Sequence, residues 1–404
     1  MKKFTKLAKL ASVLMAAAMA VTAFTGCGNT STSSTGSADG AIKIGGIGPL
    51  TGAAAIYGQA VKNGASIAVE EINAKGDLKL DLKFEDDEND AEKSVNAYNN
   101  LKDWGMQVSL GSVTTQPCIA VSTEVNADGI FALTPSASST DVLGGQPDKN
   151  GNVTIQRKDT MFQLCFTDPN QGVASAKYMK EQNLGEKIGI IYNNSDAYST
   201  GIFQKFQTTA QELGLNIVCV KTFTDDSAND FTSQLNEVKA AGADIVFLPI
   251  YYTPASMILT QAKKMQYEPK FFGVDGMDGI LTLENFDKSL AEDVILLTPF
   301  TADATDEKTQ SFVKKYNEKY KETPNQFAAD AYDCIYAIYE ACKKAGVTAD
   351  MDAKTIGEKL VSAFTASDFK LDGLTGEGMT WSKTGEVSKE PKGMIIKNGV
   401  YVGM

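Results

Sequence analysis

From Ala41 onward the chain alternates two patterns. Short apolar runs stop at glycine, proline or small polar residues. Between them lie longer stretches whose apolar positions recur every three or four residues. The runs predict strands over 41–49, 80–85, 108–111, 129–134, 161–166, 187–193, 216–222, 243–250, 270–274 and 294–299. The stretches predict helices over 56–74, 91–104, 117–127, 200–213, 230–241 and 254–265; in the first, Ile56, Ala60, Ile67, Val69 and Ile72 share most of one face. Strand–helix alternation of this kind predicts an α/β fold, parallel central sheets with helices on both faces.

After residue 300 the pattern changes. Three consecutive helices are predicted at 306–320, 327–345 and 353–364, followed by a Gly-rich tail over 378–402. Turn signals at Lys383-Thr384-Gly385 and Asn398-Gly399 make that tail short antiparallel strands. About 360 residues are more than one hydrophobic core usually spans, so two α/β units are expected. Several crossings between them would account for helices returning late in the chain.

The first residues bear on compartment. Lys2, Lys3, Lys6 and Lys9 precede an apolar run from Leu10 to Phe24 and then Thr25-Gly26-Cys27. This is a secretory signal, shorter than the ~18–20 apolar residues of a spanning helix. A cysteine directly after Thr25-Gly26 favours cleavage before it and lipidation of Cys27 over plain secretion. Residues 1–26 are thus expected to be a lipoprotein signal peptide. Residues 27–40, nearly all Ser, Thr, Gly, Asn and Ala, are expected to be a flexible tether. The formal net charge is −12 and becomes more negative by four when the leader lysines go. That argues against nucleic-acid partners and against docking on anionic lipid by charge.

Two absences narrow the chemistry. The chain has no histidine, which removes imidazole acid–base catalysis, Ser–His and Cys–His pairs and imidazole metal sites. Its one arginine, Arg157, lies in a polar stretch, so a buried guanidinium fork for carboxylate or phosphate is not expected. Cys118, Cys165, Cys219, Cys334 and Cys342 show no metal-ligand spacing and are expected as buried free thiols. The acidic run 85–90 lacks the glycine and closing glutamate of an EF-hand loop and reads as a solvated loop ending in a helix cap. No cofactor and no metal are expected.

Candidate binding residues gather at strand ends. Two apolar runs empty into hydroxyls, at Ser112–Thr115 and at Ser136–Ser139. One such cluster alone reads as helix capping and turn filling. Two on successive strands favour a neutral anion receptor built from hydroxyls and free backbone N–H groups. Tyr57, Tyr198, Tyr251 and Tyr252 follow other strands, and Asp275 stands between Val274 and Gly276 after a further one. In open parallel sheets ligands sit outside the carboxyl ends of strands. There an isolated carboxylate suits a cation, although a turn or cap role is the alternative.

The ordered set "KIGGIGPLTGAAAIYGQ", "GSVTTQP", "LTPSASST", "FTDPNQG", "YNNSDAYSTG" and "FFGVDGMDG" resembles the type I solute-binding proteins of ABC importers, in their branched-chain amino acid group. The resemblance runs from about Ile42 to the tail. It implies two Rossmann-like lobes joined by three crossover segments near Cys165, Thr298 and Met379, with the ligand between them. The lobes would be 41–165 with 299–378, and 166–298 with 379–404. It implies that Ser112, Ser136 and Ser138 hold the ligand's carboxylate and ammonium, and that Tyr198 and Tyr252 contribute from the second lobe. Asp275 would pair with the ammonium and Tyr57 would cover the aliphatic side chain. Gln163 stands where many relatives have Arg, Met277 where many have Trp, and Ser136 and Ser138 replace a common Ala and Thr pairing.

These readings converge on a monomeric, non-enzymatic protein. It would be exported and lipid-anchored to the outer face of the cytoplasmic membrane, bind Leu, Ile or Val, and deliver it to the membrane subunits of an ABC permease. Alternatives are a sensing module of the same fold that signals to a receptor, or an importer component for another small amide or amino-acid-like solute. A hydrolase using paired carboxylates is a third class, but no motif pairs them.

Overall fold

The structure is a computed structural model that describes residues 40–147 and 150–404. The leader, Cys27 and almost all of the expected tether lie outside the described residues. Five parallel strands form the first sheet: β1 (Ala41–Gly48), β2 (Lys79–Asp86), β3 (Val108–Ser112), β4 (Phe131–Thr134) and β5 (Met161–Gln163). Their order is β2-β1-β3-β4-β5, and β1 runs in step with β2 from Ala41 beside Lys79 to Gly48 beside Asp86. The intervening helices are α1 (Ala55–Lys75), α2 (Ala91–Trp104), α3 (Thr115–Asp128) and the short α4 (Thr140–Leu143).

A second alternation follows: α5 (Asp168–Glu181), β6 (Ile188–Asn193), α6 (Ala197–Glu212), β7 (Ile217–Phe223), α7 (Thr232–Ala240), β8 (Ile245–Leu248), α8 (Tyr252–Lys264), β9 (Lys270–Gly273) and β10 (Ile295–Leu297). The chain then gives α9 (Glu307–Tyr320), α10 (Gln326–Ala345), α11 (Ala353–Phe364), β11 (Gly393–Lys397) and β12 (Val400–Gly403). The second sheet is ordered β12-β11-β10-β9-β8-β6-β7. Its β6–β10 strands pair in parallel, while β11 and β12 add an antiparallel hairpin against β10. Asn398 and Gly399 turn that hairpin with φ of 52° and 76°, the positive pair that a tight two-residue turn demands.

Alternation along β1 explains the layering. Ile42 and Ile44 face a core shared with α1, α10 and α11, and Ile47 faces the other side, with Tyr98 and Leu101 of α2 and Val121 of α3. The late helix α10 is buried along most of its length and packs along α1. Gly64 permits that approach, because a Cβ there would collide with the backbone of Ala328. α11 packs on β4 and α9 on α1.

Several expected boundaries shift for local reasons. Gly129 was expected to open a strand but ends α3, with φ of 71° in the left-handed cap conformation. α6 begins at Ala197 because Asp196 caps it, accepting from Ser199 N at 3.1 Å; Tyr198 therefore sits in its first turn. The acidic run is a solvated loop only in part. Asp90 caps α2 through Lys93 N, and Asp86 accepts from Leu50 N and the Thr51 hydroxyl. Asp87 is fully buried, and burial pushes its carboxyl to about 6. The five described cysteines are free, and only Cys219 is even partly exposed. Arg157 donates to the carbonyls of Leu143, Lys158 and Met161, not to a carboxylate. No helix among the described residues is long and apolar enough to cross a membrane.

Candidate functional site

The carboxyl ends of both sheets converge on one narrow cavity. From the first sheet's side it is lined by Val113, Thr114 and Thr115 after β3, Ser136 after β4, Tyr57 in the first turn of α1 and Phe327 in the first turn of α10. From the second come Tyr198, Tyr251 after β8, and Asp275 and Gly276 after β9. A wider groove lined by Leu259, Tyr267, Phe271 and Met404 opens at the amino ends of the second sheet's strands, away from these groups.

The wall is aromatic. Tyr57 makes edge contacts with Tyr251, Tyr252 and Phe327 at centroid distances of 5.3, 4.8 and 4.7 Å, and Tyr198 stacks on Tyr251 at 4.9 Å. The Tyr57 hydroxyl donates to the carbonyl of Gly276 and accepts from Tyr252 N, so it ties the two sides of the cleft together. Gly276 must lack a side chain: a Cβ there would lie 2.6 Å from the Tyr198 hydroxyl.

Asp275 is the charged group of this cavity. It is buried, and its Oδ1 accepts from the Tyr198 hydroxyl at 2.5 Å. Burial pushes its carboxyl up to about 7, against the pull of hydrogen bonds from Tyr198, Gln171 and the Gly276 backbone. The cavity lining contains no lysine or arginine, so a cation from outside would meet an uncompensated acid. Nearby, Asp168 is buried with both carboxylate oxygens unpartnered, and burial holds its carboxyl well above the usual range.

Opposite the acid are hydroxyls and a helix start. Thr114 is the N-cap residue of α3, yet its side chain caps nothing, and its buried Oγ1 has no partner. The first N–H groups of a helix have no intrahelical acceptor, and here they border the cavity. Ser136 donates to the carbonyl of Val113 at 2.6 Å, which leaves its oxygen lone pairs free. Gln163 fixes this loop: its Nε2 donates to the carbonyls of Ala137 and Ser139 at 2.7 and 2.9 Å. Buried polar groups left without partners cost about 1–3 kcal/mol each, so a polar ligand end is the natural complement.

Of the residues expected from sequence, Tyr57, Ser136, Tyr198 and Asp275 come together in the lining. The other three lie outside it. The Ser112 hydroxyl turns to Ser94 of α2 at 2.8 Å, because strand alternation points it away from the cleft. Ser138 Oγ is buried without a partner, and its carbonyl accepts from Asp168 N. Tyr252 backs Tyr57, its hydroxyl accepting from Ile56 N at 3.3 Å. Its neighbour Tyr251 takes the cavity position. Phe327 was not anticipated, and nothing local in the sequence marks it.

Two mainly parallel sheets whose strand ends meet at one buried, acid-and-hydroxyl cavity define a ligand-binding architecture. The chain belongs to the periplasmic binding protein family, whose model matches residues 41–391. The chain is similar to the Leu/Ile/Val-binding protein BraC3 of Rhizobium johnstonii, 27% identical over 317 residues, covering 77% of this chain and 82% of that protein. It also resembles the branched-chain amino acid transporter substrate-binding protein LivJ of Streptococcus pneumoniae, solved with isoleucine. That match is 25% identical, has a TM-score of 0.77, and covers 89% of this chain and 97% of that one. A solute-binding protein of R. palustris solved with benzoate shares the fold at TM-score 0.78 and 19% identity, covering 90% and 96%.

Proposed function

We propose that this protein is the extracytoplasmic substrate-binding component of an ABC importer and that it takes a neutral aliphatic amino acid, leucine, isoleucine or valine. The observation that carries this reading is Asp275, a buried acid with no basic neighbour in the lining, facing uncharged hydroxyls and a helix start across an aromatic cavity. A zwitterion complements both ends at once: its ammonium pairs with Asp275, and its carboxylate takes Thr114, Ser136 and the N–H groups at the start of α3. Tyr57, Tyr198, Tyr251 and Phe327 supply the apolar faces that the side chain would meet.

In this reading the two sheets with their helices are lobes, expected as 41–165 with 299–378 and 166–298 with 379–404, and the ligand is gripped from both. The last crossing falls later than expected, because Trp381 Nε1 donates to the carbonyl of Gln163, the Gly385 carbonyl accepts from Gln163 N, and Lys389 pairs with Asp330 of α10. It binds and releases its ligand without turnover. It acts as a monomer, is exported, is anchored by lipid at Cys27, and hands its ligand to a membrane permease.

Calorimetry against the common amino acids tests the reading. L-Leucine, L-isoleucine or L-valine should bind, Asp275→Asn should weaken them at least tenfold, and Ser136→Ala by less. A charged hydrogen bond lost from a closed site is worth about 1.5–3 kcal/mol. Binding of benzoate or 4-methylpentanoate as tight as leucine would overturn the zwitterion and leave a carboxylate receptor. Catalytic product release would overturn the binding role.

A further inference from the structure

The loop after β9 reaches across the cleft to a second place besides the cavity. Asp278 is buried, and its Oδ2 accepts from the backbone N–H of Gln326, the first residue of α10, at 2.9 Å. Its Oδ1 accepts from Gly279 N at 2.8 Å. In return Gln326 Nε2 donates to the carbonyl of Asp275 at 3.0 Å. β9 belongs to the second sheet, whereas α10 packs along α1 beside the first. The bonds therefore join the two sides of the molecule.

α10 already has an N-cap of its own. Asn325 is extended, with φ of −95° and ψ of −179°, and accepts from Ala328 N at 3.2 Å. A local cap leaves the first helical N–H without a partner. Here that remaining donor is satisfied by an acid from the opposite side, at the end of the helix that favours negative charge. Asp278 does not line the cavity. The residue it helps to hold is Asp275, whose side chain faces into the cavity while its carbonyl is fixed by Gln326.

We infer that Asp278 and Gln326 form a closure latch, a pair of positioning residues that set how long the ligand stays without touching it. Parting the two sides breaks both bonds and leaves the Asp275 carbonyl held only by Asp278 N of its own turn, so grip on the ligand and closure move together. Other bonds across the cleft, such as Thr253 Oγ1 to the Ala53 carbonyl at 2.7 Å, remain when the latch is removed, so the effect is partial. The inference rests on the proposed binding role of the cavity, but its test can fail separately.

The experiment pairs L-leucine kinetics by stopped-flow fluorescence with small-angle X-ray scattering of the ligand-free protein. In Asp278→Ala the dissociation rate should rise about tenfold and the association rate change by less than about threefold, the usual division of effects among variants of one interface. Ligand-free scattering should report a larger radius than wild type. Asp278→Asn, which keeps an acceptor, should fall between. Gln326→Pro attacks the latch from the other side: proline is tolerated at the first helical position and lacks both donors. It should reproduce Asp278→Ala, and it carries the test if that variant does not fold. A lower melting temperature with unchanged dissociation and unchanged scattering would make Asp278 a cap of its own turn and overturn the latch. If wild type does not bind leucine, the proposed ligand fails, and the ligand-free scattering alone decides the latch, unchanged radii overturning it.

Discussion

Acid should switch the cavity off through Asp275. Its carboxyl is raised to about 7 by burial, so the ligand-free protein holds a proton there over much of the acid range. An ammonium needs the ionised form, and at pH 5 only about 1% of the sites would have it, two pH units below the midpoint. Ionising the rest costs about 2.7 kcal/mol, so leucine affinity should fall up to about 100-fold between pH 8 and pH 5. Calorimetry near pH 6 in two buffers of different ionisation enthalpy should also find close to one proton released per leucine bound.

Stability without ligand runs the other way. A carboxyl whose folded value lies above its unfolded value keeps its proton longer when folded, so this group contributes most stability below about pH 4. That contribution is lost as pH rises through about 7, by at most about 4 kcal/mol. Asp87, Asp196 and Asp330 are each raised to about 6 and would titrate in the same range. There is no histidine to add to them. The Asp275→Asn variant isolates the effect: its weaker binding should be nearly flat with pH. A flat wild-type profile, or the same slope in the variant, would refute the assignment of the ammonium to Asp275.

Gly64→Val should force α1 and α10 apart at Ala328; overpacking of this kind costs about 1–3 kcal/mol, read as a lower midpoint in urea. Lys389 and Asp330 form an ion pair whose side chains are only 2% and 3% exposed. Lys389→Met alone should cost about 3–5 kcal/mol, and the double variant Lys389→Met/Asp330→Leu should recover most of it; equal losses in single and double variants would contradict this. Cys27→Ala should release the exported protein from the membrane fraction, and retention there would refute the lipid anchor.

The sheets were legible because parallel strands covered on both faces read as unbroken apolar runs, and their ends read as glycine and hydroxyls. That was enough to place Tyr57, Ser136, Tyr198 and Asp275. The misses came from geometry that single residues do not encode. Choosing between Tyr251 and Tyr252 required knowing that α8 starts at Tyr252 and not two residues later. Ser112 was lost because it still belongs to β3, whose alternation sends it toward α2. Phe327 and the Asp278–Gln326 contact depend on α10 returning to the cleft from far along the chain, and no local pattern announces a partner that distant.

That return also bears on how the molecule can be made. β1 needs α10 and α11 to cover one face, and these are complete only at Phe364. The second sheet receives its edge hairpin from the last residues of the chain. During synthesis from the N-terminus, neither half can finish before nearly all of the protein has emerged. Contacts of such long sequence separation form slowly, so under the proposed export the growing chain would stay open while its leader engages the export machinery. The interleaving that builds the cleft would thus also keep an exported polypeptide threadable until it had crossed the membrane.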